Sequence, residues 1–412
     1  MPNIISRYAR GIIAGLIAAL LLTGAPALAA PQGADPQDKS VKTEADAAVI
    51  GEIYGYLAEM TADELAATLK LLRVRKVINA AYVDGAANLD LLGGAVKGAV
   101  GAVGDPYSEY MDARTLKEFL IDTKGIFGGV GLVLGIKDKR ITVIAPIEGT
   151  PADRAGIDSG DWIIDINGQP TKDMALDEAV SKIRGKEGTE VILTIGRAGQ
   201  EPTDYTLTRD TIEIKTVSGK MLEGDIGYLR LSFFNETTGD NFAAKLRELE
   251  GQGMKAVILD LRNNPGGLLE ESVKVAGQFI PKGPVVSVVA KDGSRRTSYA
   301  QPGGPRYPLV VLINGGSASA SEIVAGAVQD TGAGTIVGTR SFGKGSVQSL
   351  IPLGDGTAVK LTVARYHTPK DRVLNGVGIE PDVLAVQPPD ARETGSDAQL
   401  AKAIEVLKEK LQ

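Results

Sequence analysis

From Glu44 to about Phe119 the apolar residues fall at helical steps. Ile50, Ile53, Tyr54 and Leu57 recur three and four positions apart. Thr61-Ala62-Asp63-Glu64 has the S/T-x-x-E form of a capping box ahead of Leu65, Leu69 and Leu72, so a helix is predicted to begin there. Asp105-Pro106-Tyr107-Ser108 interrupts this region with a turn. After Gly125 the rhythm shortens. The glycine-rich run Gly125–Leu134 leads into a predicted strand over Arg140–Ile144, and a short helix follows over Pro151–Ile157. A strand over Asp161–Asn167, a helix over Met174–Arg184 and a strand over Glu190–Ile195 complete a segment that could form its own small core.

Beyond Ile212 strands and helices alternate. Strands are predicted over Ile226–Leu231, Ala256–Leu261, Leu309–Ile313, Thr335–Val337 and Ala358–Tyr366; helices over Asn241–Leu249 and Ser321–Gln329. Ala256–Leu261 and Leu309–Ile313 are nearly all apolar, as strands covered on both faces are. A polar tail from Pro388 ends in an amphipathic helix over Ala398–Leu411. The pattern divides the chain into a helical N-terminal region (44–120), a β-rich domain with two helices (121–210), an α/β core (211–390) and a tail (391–412). The expected class is multi-domain α/β.

The first 43 residues read differently. Arg7 and Arg10 precede an apolar run, Gly11–Ala25, and Ala27-Leu28-Ala29 fits an A-x-A cleavage site. The run is short for a membrane span and suits the apolar region of a signal peptide, so residues 1–29 are expected to direct export and 30–43 to be a polar linker. The alternative is an uncleaved anchor, which would be the chain's one contact with a membrane. Cleavage removes two cations and no acid, taking the net charge from −6 to −8.

Composition then narrows the chemistry. The chain has no cysteine and one histidine, His367. Disulfides, thiolate metal sites, a cysteine nucleophile and a histidine-rich zinc site are all excluded. Any Ser-His-Asp scheme would have to use His367, which reads as a surface or packing residue at a strand end. The negative net charge argues against nucleic acid as a partner.

Asn314-Gly315-Gly316-Ser317-Ala318-Ser319-Ala320-Ser321-Glu322 lies between a buried strand and a helix. A serine on such a turn stands above the sheet edge, beside the unpaired N–H groups of a helix N-terminus. The plainer reading is capping and small-residue packing, and the pattern does not choose among Ser317, Ser319 and Ser321. A serine needs a base. Lys344, in Ser341-Phe342-Gly343-Lys344-Gly345-Ser346, could serve if burial or a positive neighbour lowers its pKa; otherwise it is a solvated loop lysine. Gln348 could hold the amine or be an ordinary strand residue. Gly338-x-x-x-x-Gly343-Lys344 approaches a phosphate loop, but Gly345 follows, and Ser346–Leu350 alternates like a strand. Ser341-x-x-Lys344 matches a penicillin-binding form without its companion motifs. Asp260-Leu261-Arg262-Asn263-Asn264-Pro265-Gly266-Gly267 ends another buried strand, and could aim backbone N–H groups at a reacting oxygen or merely connect it to a helix.

LDLRNNPGG, NGGSASASEIVAGAVQD, GTRSFGKGSVQ and YHTP…GIEPD, in that order, resemble the C-terminal processing (tail-specific) serine peptidases. GGVGLVL, GTPADRAGI, GDWIIDINGQ and IRGKEGTEVILTI resemble the PDZ domain those enzymes carry, and DPYSEYM resembles part of their helical N-terminal region. The likeness covers roughly residues 45–390. It implies a crotonase/Clp-like core and an exported endopeptidase with Ser319 as nucleophile, Lys344 as base and Gln348 as helper. It also implies an oxyanion hole from the amides of Ala320 and of Gly267, taken in preference to Gly266. The loop Gly128-Gly129-Val130-Gly131 and the following Leu132 would bind a substrate's terminal carboxylate and last side chain. Protein or peptide substrates with exposed C-termini are implied, and no metal or cofactor. An adaptor protein and a homo-oligomer stay open, as does the alternative of an inactive PDZ scaffold. One departure is visible: Thr368-Pro369-Lys370-Asp371-Arg372 stands where T-P-S-G-R is frequent.

Overall fold

The computed structural model describes residues 55–86, 90–301, 307–388 and 396–411. The expected signal segment, the linker, and Ile50, Ile53 and Tyr54 lie outside them. The chain divides after Gly98 into two compact units.

In the first unit, α1 (Ala62–Ala81) starts where the sequence predicts. Thr61 N–H donates to Glu64 Oε2 at 2.7 Å and Glu64 N–H donates to Thr61 Oγ1 at 3.2 Å, closing the capping box. No residue of α1 is buried, and Leu69 and Leu72 are exposed. The periodicity therefore identifies a helix without a buried face. A second helix, α2, runs over Leu91–Gly101.

The second unit opens with β1 (Glu109–Met111) and α3 (Ala113–Lys124), which Gly125 ends in the left-handed conformation. The expectation of an all-helical stretch to residue 120 is modified here: β1 pairs antiparallel with β18 (Ala358–His367) of the core. The β-rich domain follows. Strands β3 (Leu132–Lys137), β4 (Arg140–Pro146), β5 (Trp162–Ile166), β7 (Glu190–Gly196) and β8 (Thr203–Thr208) form one sheet in that order, with the short β6 (Gln169–Pro170) on β5. Helices α4 (Pro151–Arg154) and α5 (Leu176–Ile183) accompany it, around a core that includes Val143, Ile163, Ile166, Val191 and Leu193. Two strands beside the sheet, β2 (Ile126–Gly129) and β9 (Asp210–Glu213), pair with each other.

The core has a six-stranded sheet. Strands β11 (Ile226–Leu231), β12 (Ala256–Asp260), β15 (Leu309–Ile313), β16 (Thr335–Gly338) and β19 (Val383–Leu384) run parallel side by side, with β10 (Val217–Leu222) antiparallel at one edge. All five residues of β12 and of β15 are buried. The reason is two-sided cover. Val257, Leu259, Val311 and Ile313 join the core that holds Phe242 and Leu246 of α6 (Thr238–Gly251) and Ile323 and Val324 of α8 (Ala320–Thr331). Ile258, Val310 and Leu312 pack on the other face with Ala403 and Leu407 of α9 (Ala398–Leu411). A second sheet orders β1, β18, β13 (Gly283–Ala290) and β14 (Arg295–Ala300), with β17 (Ser346–Pro352) also on β18. Helix α7 (Leu269–Gly277) lies between β12 and β13 in the chain.

Candidate active site

The C-terminal ends of β12, β15 and β16 are adjacent, which is where parallel α/β sheets place their ligands. Three loops leave there: 261–268, 314–319 and 339–345.

The first two are stapled together. Asn263 N–H donates to Asn314 Oδ1 at 2.9 Å and Asn314 Nδ2 donates back to Asn263 Oδ1 at 3.0 Å; Ala318 N–H donates to the Asn264 carbonyl at 3.0 Å. Arg262 anchors the first loop from below, donating to Asp260 and to Asp397 just ahead of α9. Gly266 is forced by proximity: a Cβ there would stand 2.7 Å from Ser319 Cβ and 2.9 Å from Ala320 N. Its own N–H is spent on Asn264 Oδ1 at 2.9 Å. Among the described residues the N–H groups of Gly267 and Ala320 have no partner.

The three serines differ in environment. Ser317 Oγ donates to the Leu261 carbonyl at 2.8 Å and Ser321 Oγ to the Asn264 carbonyl at 2.9 Å, and both residues are fully buried. Ser319 is only half-buried and adopts φ 54°, ψ −115° at the helix start. A non-glycine residue held at positive φ costs on the order of 1–3 kcal/mol and marks a turn that the surroundings impose.

Lys344 arrives on the third loop. It is half-buried, and its Nζ lies over the Tyr107 ring, 4.8 Å from the centroid. Burial, and next the charge of Lys360, hold its pKa below the usual lysine range, against the opposing pull of Asp105 and Glu322. Among the described residues Lys344 Nζ makes no hydrogen bond to Ser319 or Gln348. Gln348 Nε2 instead donates to Ser346 Oγ at 2.9 Å and to Thr362 Oγ1 on β18 at 3.0 Å, so it ties β17 to β18. His367 pairs through Nδ1 with Asp371 at 2.8 Å. Asp371 takes φ 61°, a conformation that Asp tolerates better than most residues, and so fills the turn position where glycine is frequent.

Glu322, the last residue of the serine motif, has a role that the local sequence does not show. Fully buried, its carboxylate accepts Ser319 N–H at 2.8 Å, Ser341 Oγ at 2.6 Å, Gly343 N–H at 2.7 Å and Lys344 N–H at 2.8 Å. One side chain thus fixes the backbone of both the serine turn and the lysine loop. The signal available in the sequence was its place three residues after Ser319, the capping-box position. Tyr366 reinforces it: its hydroxyl donates to the Lys344 carbonyl and lies 3.4 Å from Glu322 Oε2. Burial, then Glu322, push the Tyr366 pKa well above its ordinary value, which keeps it a donor.

In the β-rich domain the carbonyls of Gly128, Val130 and Gly131 accept N–H groups of Gly185, Ala152 and Ile147 at 3.0, 2.9 and 2.8 Å. Among the described residues the N–H groups of Val130 and Gly131 have no partner. A Cβ on Gly131 would stand 2.2 Å from Thr150 Oγ1, so only glycine fits. The loop, Leu132 and Leu134 of β3, and Val180 and Ile183 of α5 line a cavity of about 470 Å³ at the free edge of β3.

Residues 225–385 match the model of peptidase family S41, 142–197 that of a PDZ domain, and 36–115 that of the activating protease CtpB N-terminal domain. The carboxy-terminal-processing protease of Bartonella bacilliformis is 43% identical over 307 residues, 73% of this chain and 70% of that protein. The carboxy-terminal processing protease CtpA of Bacillus subtilis is 39% identical over 331 residues, 80% of this chain and 71% of that protein. The chain belongs to the carboxy-terminal processing proteases of peptidase family S41. A solved photosystem II D1 C-terminal processing protease aligns over 82% of this chain and 99% of its own, at 29% identity and a TM-score of 0.46. This S41 protease is accordingly a serine endopeptidase with a PDZ domain beside an α/β peptidase core. Among its described residues no helix is long and apolar enough to cross a membrane, and no cluster of metal-binding side chains occurs.

Proposed function

We propose that this protease is exported, takes the free C-terminus of a protein into its PDZ groove, and cleaves the polypeptide with a Ser319–Lys344 pair. Ser319 Oγ attacks the scissile carbonyl while the neutral Lys344 amine takes its proton. The Gly267 and Ala320 N–H groups receive the oxyanion. Lys344 returns the proton to the leaving amine, and water then hydrolyses the acyl-enzyme. Gln348 is the helper in this scheme, through the strand pair that carries the lysine loop.

One observation carries the reading: Glu322 ties the turn of a strained, accessible serine to the loop of a lysine kept below its ordinary pKa. For tail recognition, the support is the pair of free N–H groups at Val130 and Gly131 beside an apolar groove. Gly128 and Gly129 shape that loop, and Leu132 contributes to the pocket for the last side chain. For export, the support is the charged, apolar and A-x-A sequence of residues 1–29. The inactive-scaffold alternative has no finding in its favour.

The test compares one tailed substrate as free acid and as C-terminal amide. Hydrogen bonds to a charged group contribute about 1.5–3 kcal/mol, so amidation is expected to lower kcat/KM by roughly 10- to 100-fold. Equal values for acid and amide overturn the tail-recognition claim.

A further inference from the structure

Tyr107 lies far from Lys344 in the sequence, yet its ring covers the lysine amine. Its placement is built rather than incidental. Ser108 Oγ donates to Asp105 Oδ2 at 2.6 Å and accepts Thr362 N–H of β18 at 3.1 Å. Ser108 is buried, and β1 begins directly after it, pairing Glu109 with Lys360, Tyr110 with Val359 and Met111 with Ala358. The turn Asp105–Ser108 is thereby latched to the strand whose Tyr366 holds the Lys344 carbonyl.

We propose that Tyr107 is a positioning residue for Lys344: its ring forms the wall that excludes water from the amine and sets the direction in which it points. This rests on the reading of Lys344 as the base. Two opposed effects come from the ring. Its π face favours the ammonium form, by less than one pKa unit at a partly exposed site. Exclusion of water favours the neutral amine, and burial can move a lysine by several units. Burial is the leading cause of the lowered Lys344 pKa, and the Tyr107 ring is part of what covers the amine. The other groups acting on the amine are Lys360 on β18, which is ion-paired with Glu109 and lowers the pKa, and Asp105 and Glu322, which raise it. Arg365 acts on Asp105, and Tyr366 lies against Glu322. None of these is removed by changing Tyr107.

The experiment is the pH dependence of kcat/KM on a tailed substrate for wild type, Tyr107→Ala, Tyr107→Leu, Tyr107→Phe, Ser108→Ala and Lys344→Ala. Admitting water raises the lysine pKa, so Tyr107→Ala should move the rising limb to higher pH by roughly one unit, a loss near tenfold at neutral pH that alkaline buffer restores. Tyr107→Phe should keep the wild-type midpoint. Tyr107→Leu, dry but without a π face, should keep it or move it slightly to lower pH. Ser108→Ala, which unlatches the turn with the ring intact, should move it upward in the same sense as Tyr107→Ala and by less. If Tyr107→Ala does not fold, Ser108→Ala still decides. Unshifted midpoints in Tyr107→Ala and Ser108→Ala, with Lys344→Ala inactive, overturn the role of Tyr107 alone. An active Lys344→Ala overturns the assignment of the base itself.

Discussion

At the scale of residues, the chemistry turns on which side chains are already committed. Three serines in S-A-S-A-S look alike in sequence because all are small, polar and close to a helix start. Burial and bonding tell them apart: Ser317 and Ser321 hold the neighbouring loop through its carbonyls, and Ser319 sits at positive φ. Lys344 was visible as a candidate base, but nothing local could reveal its cover, because Tyr107 comes from a distant turn. As base, Lys344 must be neutral. Its lowered pKa means that the neutral fraction, and with it kcat/KM, rises with pH through a range below that of an ordinary lysine. Lys344→Arg should show only background cleavage at every pH, since a guanidinium does not deprotonate in this range. An Arg variant with wild-type turnover contradicts the role.

At the scale of elements, apolar runs and glycine punctuation were informative where burial is two-sided. β15 falls on its predicted bounds and β12 differs by one residue, because continuous apolar runs leave few alternatives; β11, which carries the exposed Arg230, falls on its bounds as well. Helix α7 follows the loop that could connect β12 to a helix, but its bounds are not legible: Leu268 stands at its N-cap without a side-chain cap bond, so no start signal precedes it. The glycine-rich run Gly125–Leu134 ends inside β3, and Gly135 blurs where the strand stops; β8 is mostly polar. The hairpin of β13 and β14 went unread as well. Glu322 shows what a motif can carry without announcing it, since its partners come from another loop. Glu322→Ala leaves three backbone N–H groups without their acceptor, at about 1–3 kcal/mol each where buried. It should lose several kcal/mol in urea unfolding and fall to background turnover. A variant with wild-type turnover would show that the bracket is dispensable.

At the scale of the whole molecule, strand order does the assembling. β12, β15 and β16 are neighbours although long segments separate them in the chain, so NPGG, the serine turn and the lysine loop meet at one sheet edge. The sequence supplied the loops and, through family resemblance, their roles. The order of strands and the bracketing by Glu322 depend on contacts between distant segments, which a local pattern does not contain. The same separation allows recognition and cleavage to be measured independently, because the loop at Val130 and Gly131 and the Ser319 turn lie on different cores. The decisive measurement is therefore Ser319→Ala, assayed for cleavage of a tailed protein and, by calorimetry, for binding of its C-terminal peptide, beside Ser317→Ala and Ser321→Ala. The account predicts no cleavage and unchanged peptide affinity for Ser319→Ala. The other two should retain measurable turnover, with stability losses of about 0.5–1.5 kcal/mol for each missing hydrogen bond. Wild-type cleavage by Ser319→Ala would contradict it.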